Sequence, residues 1–108
     1  RCVRGVSLVY QLLGSVEAPE RVARQLVEER LAACANILAQ GTSIYEWNGV
    51  LETSAEVPVL FKTTPSRRDA LMARIAELHG YDVPAILALP VEMADLSYAK
   101  WVAEQIAK

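Results

Sequence analysis

LVEERLAACANILAQGTSIY, residues 26–45, carries a helix into a strand through a waist of small side chains. Val22, Ala23, Leu26, Val27 and Leu31 recur at helical spacing, while Arg24, Gln25, Glu28 and Glu29 fill the opposite face. The polar face vanishes at Ala32-Ala33-Cys34-Ala35, where one thiol sits among alanines. From Asn36 the chain reads as extended as far as Tyr45-Glu46-Trp47. The helix is expected to begin at Pro19, with Glu17 and Glu20 at the positive end of its dipole, and to run to about Ala33.

Downstream, Asn48-Gly49 is a strong hairpin signal, because both central residues of a type I′ turn need positive φ. It joins a strand over Ala35–Trp47, kinked or bulged at Gln40-Gly41, to a strand over Val50–Thr63 in which Pro58 marks a bulge or a free edge. Upstream, Val6–Leu13 is β-branched and aliphatic and ends at Gly14-Ser15, as a central strand does. Thr64-Pro65-Ser66 stops the third strand, and Ser66 with Asp69 resembles a helix cap. A second helix carries Leu71, Met72, Ile75 and Ala76 as its apolar stripe and Gly80 at a C′ position. Val83–Val91 reads as a fourth strand, apolar on both faces, and Tyr98, Trp101, Val102 and Ile106 as the stripe of a last helix. The order βαββαβα splits into two βαβ-like halves. That is an α+β, ferredoxin-like sandwich with an antiparallel sheet, a long hairpin between its second and third strands, and a C-terminal helix.

The 108 residues make one domain, 1–108, and 53% hydrophobic content gives it a core. Residues 1–6 lack an initiator Met and read as an end of no fixed structure, processed or engineered; a signal peptide removed earlier is compatible with them. A net charge of −2 argues against a nucleic-acid surface, and no apolar run reaches the length of a membrane span. Two cysteines, Cys2 and Cys34, are too few for a disulfide scaffold. The expected location is therefore the cytoplasm, with the periplasm not excluded.

One length does not fit inside a monomer. The arm Val50–Thr63 spans roughly 45 Å at about 3.3 Å per residue, whereas a body of this size has a radius of gyration of roughly 13 Å. Such a hairpin overhangs, and its bare edges seek another chain. Tyr45 and Trp47 share one face near the tip, as interface anchors would. Oligomerisation through this arm is the expectation.

Read together, VEERLAACANIL (27–38), TSIYEWNG (42–49), LFKTT (60–64), HGYDVPAILALPV (79–91) and DLSYAKWV (95–102) resemble the CutA family, from about Ser7 to the C-terminus and in the family's order. The resemblance implies a ferredoxin-like subunit in a tight homotrimer built through its long hairpins, similar in architecture to the PII signalling proteins. It implies a role in divalent-cation tolerance, Cu(II) or another divalent cation as ligand with none required for folding, and no catalysed reaction. Cys34, Trp47, Lys62 and Tyr81 match family positions. The family's strand-end thiol falls at about Gln11 here, its His-His-Pro-Tyr spot is Leu78-His79-Gly80-Tyr81, and its Pro-Glu is Pro84-Ala85. The expected metal ligands are His79 and Cys34, with Lys62 and Tyr81 lining an inter-subunit cleft and Tyr45 and Trp47 at the trimer interface. The competing expectation is a PII-like signalling or scaffold trimer that takes a small anion or a protein partner in those clefts.

Thiolate and imidazole suit copper and zinc, while Lys62, charged in an apolar strand, suits an anion or a snorkelling rim position. A packing role remains open for each residue: Cys34 as a small buried side chain at a crowded junction, His79 as the cation at a helix C-terminus. Phosphate-loop, C-x-x-C and H-E-x-x-H motifs are missing. Val3-Arg4-Gly5-Val6 is faintly similar to acylphosphatases but lacks the Arg that closes their loop, and the sheet lacks the paired aromatics of RNA-recognition modules.

Overall fold

The computed structural model describes residues 1–14, 18–80 and 82–108, so the dipole role of Glu17 and the cleft role of Tyr81 lie outside the described residues. In chain order the elements are β1 (Cys2–Val3), β2 (Ser7–Gly14), α1 (Pro19–Glu28), β3 (Cys34–Ile37), β4 (Gly41–Trp47), β5 (Val50–Thr63), α2 (Arg68–Leu78), β6 (Ile86–Pro90), β7 (Ala94–Asp95) and α3 (Leu96–Ala107). The main sheet runs β3-β5-β2-β6, with β4 also on β5, and each pairing is antiparallel. This is the α+β, ferredoxin-like arrangement, with a small ribbon of β1 and β7 added. Residues 1–6, expected to be loose, are placed by that ribbon, by a Leu96 amide donating to Arg1 oxygen at 2.9 Å, and by the buried Val6.

Alternation in β2 turns Val9, Gln11 and Leu13 to one face, beside Phe61 and Val59 of β5. Val22, Ala23 and Leu26 of α1 and Leu71 and Ile75 of α2 close over them. Burying each large aliphatic or aromatic side chain there contributes about 1.5–3 kcal/mol. α1 stops at Glu28 rather than Ala33. Arg30 adopts a left-handed φ of 61°, and the amides of Leu31 and Ala32 turn back to the Leu26 carbonyl at 3.2 and 3.4 Å. The buried alanines 32 and 33 are the chain's passage into the sheet, where the Ala33 amide donates to Lys62 oxygen at 2.8 Å. A second core gathers Val6, Ala33, Ala99, Val102 and Ile106. Tyr98 and Trp101, expected on the inner stripe of α3, flank it instead and stack on each other with ring centroids 5.8 Å apart.

The arm forms as expected around Asn48 (φ 52°) and Gly49 (φ 79°). Ile37 pairs with Val59 and Gly41 with Glu56, so three residues of the outer strand face two of β5, the one-residue excess of a bulge. The Pro58 carbonyl accepts from the Leu38 amide at 2.9 Å. Because a residue's N and C=O share a side in an antiparallel ladder, the donor that proline lacks falls at this break, where no pair needs it. The molecule measures 48 × 25 × 23 Å with a radius of gyration of 14.8 Å, longer than its residue count implies because the arm protrudes.

Two local expectations are corrected. Ser66 does not cap α2: its hydroxyl pairs with Thr64, and the N-cap position is Arg67, without a side-chain cap bond. The fourth strand covers only Ile86–Pro90 and pairs with β2 alone. Leu87 and Leu89, on the face away from the helices, are 57% and 40% exposed.

Candidate functional site

Opposite α1 and α2 the sheet carries a second apolar face, which α3 reaches at the Cys34 end and which lies open at Leu87 and Leu89. Cross-strand partners share a face, which puts Cys34, Lys62, Leu8 and Leu89 in one row and Asn36, Leu60, Tyr10 and Leu87 in the next. The same face continues into the arm through Pro58, Glu56, Ser54 and Glu52, with Ser43, Tyr45 and Trp47 beside them. Between the arm and Gly80, Asp82, Val83 and Ala85 lies a groove of about 690 Å³, with Tyr45, Trp47, Glu52 and Glu56 among its walls. The Tyr45 hydroxyl is 3.2 Å from Ser54 Oγ, which fixes the ring along the arm.

Cys34 and Lys62 are ladder partners on this face. Cys34 Sγ lies 3.5 Å from the Tyr98 hydroxyl. Burial, and then the hydrogen bond with Cys34, pushes the Tyr98 hydroxyl up to about 12. Lys62 is half-buried, and among the described residues no carboxylate lies in ion-pair range of its amine.

His79 is elsewhere. It follows α2 in an extended conformation (φ −83°, ψ 137°), is buried, and its Nδ1 is 2.9 Å from Nε2 of the fully buried Gln11. An amide nitrogen only donates, so Nδ1 accepts and the ring proton sits on Nε2. Gln11 points to the helix side and Lys62 and Cys34 to the bare side, so one chain does not bring the two expected metal ligands together. Among the described residues no group of three or more His, Cys, Asp or Glu side chains is placed to hold a metal ion. Within a single subunit the donors do not fit a metal site.

Gln11 is the residue that sequence reasoning passed over, treating it only as a missing thiol. Its signal was available: a long polar side chain at an inward position of an apolar strand requires a buried partner. Glu29 gave no such signal, yet its carboxylate takes two bonds from Arg74, Nε at 2.9 Å and Nη2 at 3.0 Å, tying the end of α1 to α2. That pairing holds the Glu29 carboxyl below its ordinary value.

A family model for the CutA1 divalent ion tolerance protein matches residues 7–105. Protein CutA of Homo sapiens is 40% identical over 97 residues, covering 90% of this chain and 54% of that protein. The divalent-cation tolerance protein CutA of Pyrococcus horikoshii is 40% identical over 101 residues, covering 94% of this chain and 98% of the relative. Among solved structures, the periplasmic divalent cation tolerance protein CutA from Archaeoglobus fulgidus superposes with a TM-score of 0.88 at 30% identity, over 94% of this chain and 98% of that one. The chain thus spans about half the length of the mammalian relatives it matches and nearly all of the archaeal ones.

Proposed function

Because this chain belongs to the CutA1 divalent ion tolerance family, we propose that it is a homotrimer that binds a divalent metal ion, Cu(II) first, in tolerance of such ions and catalyses no reaction. The observation that carries this reading is the open face, apolar at Leu87 and Leu89 and again at Tyr45 and Trp47, with Glu56, Ser54 and Glu52 between them along the arm. Patches of that kind mark association surfaces, and an overhanging hairpin gives neighbouring copies a strand to grip. In such an assembly Cys34 and Lys62 face a neighbouring chain, and His79 joins them as a ligand by giving up its bond with Gln11. Two free cysteines support a cytoplasmic setting; the Archaeoglobus relative marks the other compartment, and cell fractionation decides between them.

Sedimentation equilibrium tests the assembly first: a mass of three subunits is expected, and a mass of one overturns it. Titration with Cu(II) and Zn(II), run beside His79→Ala and Cys34→Ala, tests the ligand. Saturation at a fixed ratio per trimer, lost in either variant, is the expected result, and weak uptake unchanged by both ends the metal reading. The second reading, a small anion or a protein partner in the cleft, is favoured by the Lys62 amine, which among the described residues has no carboxylate in ion-pair range. Its mark is anion-dependent stabilisation lost in Lys62→Ala.

A further inference from the structure

At the end of the sheet away from the arm, β2 enters the body near the first turn of α2. A cavity of about 540 Å³ opens there between residues 4–7, Pro65, Arg68 and the chain that follows β6. Its walls favour one kind of ligand. Arg4 is exposed and, among the described residues, has no ion-pair partner. Arg68 gives its Nε to Asp69 at 3.1 Å, and among the described residues its two terminal nitrogens make no hydrogen bond. α2, 11 residues long, starts beside the cavity without a side-chain cap, although the Arg67 and Arg68 amides already donate to the Thr64 carbonyl at 3.0 Å.

The observation that points to a ligand is Ser7. It is 5% exposed, lines the cavity, and its hydroxyl makes no hydrogen bond among the described residues. Because the hydroxyl oxygen is unpaired and not itself sealed from solvent, it opens onto the cavity, where a ligand can reach it. Gly5, at φ 131°, turns the corner between β1 and β2 in a conformation that side-chain-bearing residues rarely adopt, and Arg4 and Ser7 come to the same cavity on either side of it.

We propose that this cavity binds a small oxyanion, a phosphate or a carboxylate, held between the guanidinium groups of Arg4 and Arg68 with the Ser7 hydroxyl donating to it. Guanidinium forks suit both anions, since each offers paired oxygens. Glu92 also lines the cavity and opposes the anion, which restricts the site to small ligands. The site is separate from the cleft: Ser7 pairs with Thr63 and faces the helices, whereas Lys62 pairs with Leu8 on the bare side.

Isothermal titration of the full chain with inorganic phosphate in one arm and acetate in the other tests this. One saturable equivalent per chain is expected, and the anion bound more tightly tells a phosphate ligand from a carboxylate ligand. Arg4→Gln and Arg68→Gln should each weaken binding by about tenfold, the scale of one charge-assisted hydrogen bond. Glu92→Gln should tighten it, and Lys62→Ala should leave it unchanged. Because Arg4 is exposed, its variant folds as the parent does, which circular dichroism verifies. Absence of saturable uptake of either anion overturns the proposal. So does binding that survives both arginine substitutions, that Glu92→Gln fails to tighten, or that Lys62→Ala abolishes.

Discussion

The two faces of one sheet differ in what covers them and hardly at all in what composes them. On the helix side, Val9, Leu13, Val59 and Phe61 are sealed by α1 and α2. On the other side, Leu8, Tyr10, Leu12, Leu60, Leu87 and Leu89 are just as apolar, with Leu87 and Leu89 open to solvent. An antiparallel sheet that ends in water normally alternates apolar with polar residues. This one is written for burial on both sides, yet beyond the end that α3 covers its second face stays open at Leu87 and Leu89.

Phe61→Ala should separate the faces most sharply, costing about 3–5 kcal/mol of unfolding free energy by leaving a cavity under the helices; urea denaturation reads it. Leu87→Asp should barely change the fold of a subunit but cut the sedimenting mass to that of one chain. If the mass is unchanged, the bare face is not the association surface. Gly49→Ala, at φ 79°, should cost about 1–2 kcal/mol at the arm's turn, since an L side chain there meets the left-handed penalty, and the loss should appear as a lowered midpoint in thermal unfolding.

The smallest effects are set by pH, one for each face. On the helix side the Glu29 carboxyl is lowered by Arg74, so its contribution is present above the ordinary value of 4.5 and fades as pH falls through its depressed value. Arg74→Ala should flatten that acid limb. On the bare side the Tyr98 hydroxyl is raised from 10 to about 12, so its contribution is full below pH 10 and is lost as pH rises toward 12. Tyr98→Phe should remove that alkaline limb while leaving the acid one. Stability curves against pH for the two variants check both signs.

Signals within a few residues of each other were legible. Asn48-Gly49 specified the turn, and alternation carried β5 from Val50 to Thr63 as observed. Alanine misled at the end of α1, because its high helix propensity concealed the reversal at Arg30, which no side-chain pattern announces. Ser66 looked like a cap by spacing, but Thr64 competed for its hydroxyl. At the candidate site, Cys34 beside Lys62 follows from strand register, whereas Gln11 with His79 joins residues 68 apart and Glu29 with Arg74 residues 45 apart. Pairings over such separations leave no periodic trace. The face to which His79 belongs was therefore invisible until the fold was complete.

The central place of β2 also governs the order in which the chain can fold. Its neighbours are β5 and β6, so Ser7 must find Thr63 and Pro90 across most of the chain. Closing such loops is entropically slow. The arm, by contrast, closes at a two-residue turn, a process of about 1–10 μs. It is therefore zipped long before β2 is flanked on both sides, and the open face stays unassembled until β6, the last strand of the main sheet, arrives. In the proposed trimer, association through that face follows the pairing of β6 with β2.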